Sequence, residues 1–256
     1  MTVRTTHWDD VVESWPDAGS RAFIRAYNDE INRALIERWL PAHSSRLLKT
    51  DLFDEAVGVG LVPALSLRAD IVVGVDASAA AVEASRRRYP ELQAEVGDVR
   101  ALPFEDGSFD AVVSNSTLDH FATIEELERG IAELGRVLAP GGILVITLDN
   151  RANPFVALRN ALPSRLLRGL RLVHFYIGAT YGPKGLRAAL ERTGFSVVES
   201  AAIMHFPRVV ARGASALSGA SSKGSLMRTV LAFESLARFP TRYLTGQFVA
   251  AAAVKL

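Results

Sequence analysis

Four acidic positions, two glycines and a histidine carry the residue types and spacing from which chemistry could be built. Gly58 and Gly60 stand in the stretch Leu52-Phe53-Asp54-Glu55-Ala56-Val57-Gly58-Val59-Gly60, just after Asp51. A glycine lets the backbone approach a ligand closely, because no Cβ intervenes and positive φ is allowed. Asp76 ends the apolar run Ile71-Val72-Val73-Gly74-Val75, where a carboxylate can accept both hydroxyls of a ribose. Asp98, in Gly97-Asp98-Val99, is a second carboxylate that could meet an adenine amino group. His120 follows Ser114 and Asn115. Its ordinary pKa near 6.5 suits a general base, although a structural role is the competing expectation.

The elements that must position these residues alternate in type. Apolar positions Phe23, Ile24, Tyr27, Ile31, Leu35 and Trp39 recur at helical spacing between Ser20 and Leu40, and Pro41 closes that helix. A first strand begins at Leu47-Leu48, is interrupted by Lys49-Thr50-Asp51 and resumes at Leu52-Phe53. That interruption leaves two registers for the acid of the first loop, Asp51 or Asp54. The 22-residue step from Asp54 to Asp76 fits a compact strand-helix-strand unit better. Further strands are expected at Ala94–Val96, Phe109–Ser114 and Ile143–Leu148, and helices at Ala77–Arg88 and Ile124–Leu138, the latter capped by Thr123. Pro140-Gly141-Gly142 reads as a turn. Such alternation predicts an α/β fold with a mostly parallel sheet and right-handed crossovers, in which a ligand crevice lies at the carboxyl ends of the strands.

Later residues behave differently. A helix is expected at Pro183–Arg192 and strands at Phe195–Ser200 and Gln247–Val254, whereas residues 213–225, rich in Gly, Ser and Ala, read as a flexible loop. No regular element is expected in residues 1–20, where Pro16 and Gly19 break any pattern.

Composition narrows the classes. Of 256 residues, 49% are hydrophobic and 22% charged, which suits one sizeable core. Without cysteine there is no disulfide, thiolate nucleophile or Cys-based metal site. The five histidines, His7, His43, His120, His174 and His205, lack metal-ligand spacing, so no metal is expected. No apolar run is long enough to span a bilayer and no leader pattern opens the chain, which makes a cytoplasmic location the default expectation. The net charge of +1 hides an asymmetry: residues 1–150 hold 14 Lys and Arg against 25 Asp and Glu, and residues 151–256 hold 15 against 3. The basic part, with Arg165, Arg168 and Arg171 among leucines, could touch anionic lipid as a peripheral membrane contact or dock on the acidic part. Nucleic acid is not expected as a partner, because no aromatic stacking array is interleaved with the arginines.

The combination of Gly-x-Gly, Asp76, Gly97-Asp98-Val99, Ser114-Asn115 and Pro140-Gly141-Gly142 resembles the class I S-adenosylmethionine-dependent methyltransferases, above all the ubiquinone/menaquinone C-methyltransferase-like group. The resemblance covers about residues 46–150. It departs from the family pattern at Ala56, where the first glycine is usual, and at Glu55, where an apolar residue is common. It implies a Rossmann-like, doubly wound, seven-stranded sheet with an antiparallel C-terminal strand and a helical N-terminal segment. Residues 1–45 would be a lid or packing segment, 46–150 the cofactor-binding core, and 151–256 the acceptor-side insertion with the closing strands. S-adenosyl-L-methionine would be the cofactor and S-adenosyl-L-homocysteine its product, held by Asp51 or Asp54, Gly58, Asp76 with Ala77, Asp98 with Val99, and Ser114. The acceptor would be a small hydrophobic, natural-product-like or anionic molecule, methylated at oxygen, carbon or nitrogen, with His120 the candidate base, in a monomer or homodimer. A nicotinamide-dependent oxidoreductase is the lesser alternative, since Leu61-Val62-Pro63 supplies no third glycine. A non-enzymatic cofactor-binding protein on the same fold is the other.

Overall fold

The computed structural model describes residues 5–13, 20–162, 178–217 and 223–256. Seven strands form one sheet: β1 (Ser44–Thr50), β2 (Ala69–Asp76), β3 (Gln93–Val96), β4 (Phe109–Asn115), β5 (Leu138–Asp149), β6 (Phe195–Ile203) and β7 (Phe248–Lys255). Their spatial order is β3-β2-β1-β4-β5-β7-β6. The first five run parallel, and β7 is antiparallel to both of its neighbours. The order reverses between β1 and β4, and at such a switch point adjoining loops part and leave a crevice.

Side chains alternate across a strand, so a sheet buried on both faces needs apolar residues at consecutive positions. Leu47 packs into a core layer with Phe23, Tyr27, Ile31 and Trp39, and its neighbour Leu48 packs into the opposite layer with Phe109, Leu127, Ile131 and Leu134. In β7, Ala250 and Ala252 face the first layer while Val249, Ala251 and Ala253 face the second. The first layer is built from α2 (Ser20–Trp39) and the second from α6 (Ile124–Val137) and α8 (Pro183–Arg192).

Helix starts are set by local chemistry. Ser78 Oγ accepts from Ala81 N at the head of α5 (Ala79–Arg88), and Thr123 Oγ1 accepts from Glu126 N at 3.2 Å at the head of α6. Asn153 caps α7 (Pro154–Ala161), accepting from the Phe155 and Val156 amides at 2.9 and 3.2 Å. Each satisfies a backbone donor that would lack an intrahelical partner.

Three regions differ from the sequence reading. Residues expected to be irregular contain a helix, α1 (Thr5–Glu13). The segment read as a flexible loop is mostly helical, with α9 (Arg208–Leu217) and α10 (Lys223–Ala232) on either side of residues 218–222. There Ala211 and Ser215 are buried one turn apart, and their small size lets α9 approach α2 closely. The turn expected at Pro140-Gly141-Gly142 instead lies inside β5, which runs from Leu138 with a register shift opposite Phe109 and Ala111. Arg165, Arg168 and Arg171 lie outside the described residues.

Gly178 shows how tightly the later chain is fitted. Its N–H donates to the Asp119 carbonyl at 2.8 Å, and the Ala179 N–H donates to the Phe121 carbonyl at 2.7 Å. A Cβ at Gly178 would stand 1.9 Å from the Phe121 carbonyl oxygen, and backbone has little room to move aside. Gly178→Ala is therefore expected to lower stability by about 3 kcal/mol or more in urea denaturation. Gly213→Ala, on α9 with nothing within 4 Å, should stay within about 1 kcal/mol of the parent or gain slightly. Equal stability of the two variants would contradict this packing.

Candidate functional site

The crevice is built outward from the end of β1. Thr50 is fully buried, and its Oγ1 donates to Ser114 Oγ at 2.9 Å and lies 2.9 Å from Thr117 Oγ1. These hydroxyl contacts join the ends of β1 and β4, the two strands flanking the switch point. Ser114 is thus a buried link between strands, with its own side chain turned into the sheet. Asp51 comes next, in the left-handed region at φ 69°, a conformation that Asp tolerates better than most residues. Its Oδ1 accepts from Phe53 N at 2.8 Å, which closes a tight side-chain turn.

Asp76, at the end of β2, spans this turn and the next helix. Its Oδ2 accepts from Leu52 N and its Oδ1 from Ser78 N, both at 2.7 Å. Both oxygens keep a second acceptor site. Ala77 lies between Asp76 and the Ser78 cap. Just past the end of β3, the strand beside β2, Asp98 is clasped by Arg100, with Nε 3.0 and 3.1 Å from its two oxygens, and Arg100 Nη1 continues to Glu126 at 2.6 Å. Partial burial pushes the Asp98 carboxyl up, but the Arg100 hydrogen bonds outweigh it and leave it below its ordinary value. Val99 is buried in the second core layer.

The two glycines do not follow β1 directly, as the sequence reading had them. A short helix, α3 (Phe53–Val57), intervenes, and α4 (Val62–Leu65) follows. Gly60, at φ +62°, wraps around Glu55, whose carboxylate would meet a Cβ there at 2.5 Å. Leu61 N donates to Glu55 Oε1 at 2.8 Å, and the other oxygen pairs with Lys49 Nζ at 2.8 Å. Lys49 and Glu55 are 2% and 0% exposed; burial alone would pull the Lys49 amine down, but Glu55 and Asp51 outweigh it and raise it. The polar interruption of β1 is thus a buried ion pair and a hydroxyl link. The strand stops at Thr50, so Asp51 is the acid at its tip and Asp54 belongs to α3.

Carboxylates crowd this end of the crevice. Burial, followed by the charge of Asp76, pushes the Asp51 carboxyl well up. Burial and then Glu55 raise Asp54. Asp29, on α2, is buried, and desolvation with the charges of Asp54 and Glu55 pushes it up to about 7. Acids raised together mark a negative field that a cationic ligand would relieve. Sequence reasoning missed Asp29, although Arg25, Asn28 and Asp29 form a polar patch on an otherwise apolar helix face.

Two contacts of α1 frame the opening. Asp9 Oδ1 accepts from Ser78 Oγ at 2.6 Å and from Ala80 N at 3.1 Å, and the Trp8 ring meets His120 edge-on at 4.8 Å between centroids. His120 is half-buried in a 3₁₀ turn, Leu118–His120, past the end of β4. Beside it, buried Asp119 accepts from Asp149 N at 2.7 Å and from Ser116 Oγ. A hollow of about 430 Å³ lies on the outer side of α3, lined in part by Val12, Ala56, Val57 and Arg87; the clustered carboxylates do not line it.

The sheet is mostly parallel, reverses its order between β1 and β4, and carries acids at or just past the ends of β1, β2 and β3. Residues 54–146 match the family described as a methyltransferase domain. A probable S-adenosylmethionine-dependent methyltransferase of Mycolicibacterium smegmatis is 29% identical over 159 residues, 57% of this chain and 59% of that protein. Demethylmenaquinone methyltransferase of Renibacterium salmoninarum is 40% identical over 75 residues, 29% of this chain and 30% of that one. A probable tRNA methyltransferase 9B of Mus musculus is 40% identical over 91 residues, 35% of this chain and 20% of that one. The matched stretch thus spans between about a fifth and three fifths of these relatives' lengths. Among solved structures, a methyltransferase of Thermotoga maritima described as a possible histamine N-methyltransferase superposes with a TM-score of 0.65 at 18% identity. That superposition covers 99% of this chain and 100% of that one, and it speaks to the fold alone. No helix among the described residues is long and apolar enough to cross a membrane.

The Asp29 environment sets a pH dependence. Its folded-state pKa of about 7 lies above the ordinary 3.8, so between those values the folded protein holds a proton the unfolded chain has released. The contribution of Asp29 to stability therefore falls as pH rises from about 4 to about 7 and then levels off. Asp29→Asn should flatten that part of the ligand-free stability profile and stabilise the protein above pH 7. An unchanged slope in denaturant titrations would show that Asp29 titrates normally.

Proposed function

We propose that the protein transfers the methyl group of S-adenosyl-L-methionine to a small-molecule acceptor and releases S-adenosyl-L-homocysteine. The observation that carries this reading is the interlock at the crevice tip, where Asp76 receives the Leu52 and Ser78 amides beside the raised carboxyls of Asp51 and Asp54. The donor would bring a sulfonium and an ammonium, two further cations that would relieve the raised carboxyls. When bound, it supplies the electrophilic methyl carbon, whose bond to sulfur breaks with the electron pair remaining on sulfur.

In this reading Asp76 holds the ribose through its remaining lone pairs, and Asp51 and Asp54 face the methionine portion with Gly58. Asp98, Val99 and Ala77 border the adenine, and Ser114 acts from behind by keeping the tips of β1 and β4 together. The chain's contribution to rate is alignment and exclusion of water. His120, held against Trp8, serves packing.

The acceptor is a small molecule rather than nucleic acid. Two cations of the basic C-terminal part are spent on ion pairs with the first 150 residues, Arg192 with Glu128 and Arg159 with Asp149. These pairs favour the docking reading of the charge asymmetry over a peripheral membrane contact.

Two measurements test the reading. Calorimetric titration should show S-adenosyl-L-homocysteine binding, with affinity falling roughly ten- to a hundredfold in a folded Asp76→Ala protein. Unchanged affinity there would overturn the assignment of the crevice. His120→Gln should keep transfer within about threefold of the parent, whereas a loss of 10²–10⁴-fold with cofactor binding intact would make it the base.

A further inference from the structure

Two arginines near the same crevice form no ion pair with a carboxylate among the described residues. Arg25, on α2, is 8% exposed, and its Nη1 has no hydrogen-bond partner. Its Nε borders Gly58, 3.1 Å from where a Cβ would stand. Arg208, half-buried at the start of α9, lays its guanidinium 5.6 Å from the Phe248 ring centroid. The Asn28 amide, oriented so that its nitrogen donates to the Ile24 carbonyl, accepts from Arg208 Nη2 at 3.2 Å. Arg25 and Asn28 are three residues apart and so share a face of α2.

The sheet register locates Arg208. Phe248 opens β7 and pairs with Asp149, the last residue of β5. Arg208 therefore lies over the carboxyl end of β5, on the far side of the switch point from Asp76 and Asp98. The acids nearest to it are shared: Asp149 pairs with Arg159 while its charge also acts on Arg208, and Asp54 acts on both Arg25 and Arg208. A partly buried guanidinium without a dedicated ion-pair partner is costly, and its planar fork suits carboxylate or phosphate oxygens. Burial, the largest influence, lowers the Arg208 guanidinium from its ordinary value.

We propose that Arg208, assisted by Arg25, is an anion-binding element of the acceptor side of the crevice, so that the acceptor carries a carboxylate or phosphate group. This rests on the methyl-transfer reading for the identity of the second ligand. It divides the crevice by charge: the acids of β1 and β2 meet the cationic donor, and the two arginines meet an anion beyond it.

The test uses the full chain, with S-adenosyl-L-homocysteine and inorganic pyrophosphate as probes in calorimetric titrations. Pyrophosphate is expected to bind the parent protein, with or without the nucleoside, and to bind at least tenfold more weakly after Arg208→Gln or Arg25→Gln. Affinity for S-adenosyl-L-homocysteine should stay within about threefold in Arg208→Gln, whose side chain lies over the far end of β5 rather than beside Gly58. Arg208→Lys, which keeps the charge, should fall between parent and Arg208→Gln and guards against misfolding of the neutral variant. The proposal is overturned if the parent binds no pyrophosphate up to about 10 mM, or if neither glutamine variant weakens it. It is equally overturned if Arg208→Gln loses S-adenosyl-L-homocysteine affinity tenfold, which would assign Arg208 to the donor's own carboxylate. Absence of nucleoside binding in the parent would count against the methyl-donor reading, and the pyrophosphate titration alone would still judge the arginines.

Discussion

The buried Lys49–Glu55 pair is the constraint on which the crevice depends. Lys49 stands within a central strand and Glu55 in the short helix that follows, at 2.8 Å from each other and out of contact with solvent. Taking two charges out of water repays itself only when geometry is good and the remaining donors and acceptors are used. Here Lys49 Nζ also donates to the Asp51 carbonyl, and Glu55 accepts from Leu61 N. Those bonds fix the left-handed turn at Asp51, the placement of α3 and the wrap of Gly60. With Asp51 fixed, Leu52 N points at Asp76, and the tips of β1 and β2 become one unit.

Much of this was legible in the sequence. Alternating apolar runs and cap residues marked the parallel strands and their helices, because a strand buried on both faces has few other ways to read. The helix Pro183–Arg192 and the Thr123 cap lie where pattern placed them. What could not be read shares a cause: tertiary pairing gave a local signal a different meaning. Lys49, Thr50 and Asp51 look like an interruption until a glutamate six residues on and a serine on the next strand but two supply partners. Gly60 looks like part of a ligand loop until Glu55 fills the space that it leaves. The Gly, Ser and Ala of residues 213–225 suggest slack chain, yet the described ends of that segment belong to α9 and α10, and Ser215 is buried.

The charge asymmetry has a physical outcome in the fold. Acidic residues gather at the carboxyl ends of the first strands, while Arg159, Arg192 and Arg208 come from the later chain to the same sheet edge or to α6. Cross-links between the two parts, including Arg38 with Glu199 in the opposite sense, hold the closing strands against the core. A single sheet thus brings to one crevice two fields of opposite sign.

The place of β7 has a consequence for how the chain is made. It lies between β5 and β6, so β6, though synthesised about fifty residues earlier, has no neighbour in the sheet until residues 248–255 exist. During synthesis the first five strands can pair as they emerge, whereas β6 and the helices around it must wait, with the apolar edge of β5 open beside them. Closing that edge is therefore a late event, and a nascent chain stalled before Phe248 would present a bare strand to anything able to pair with it.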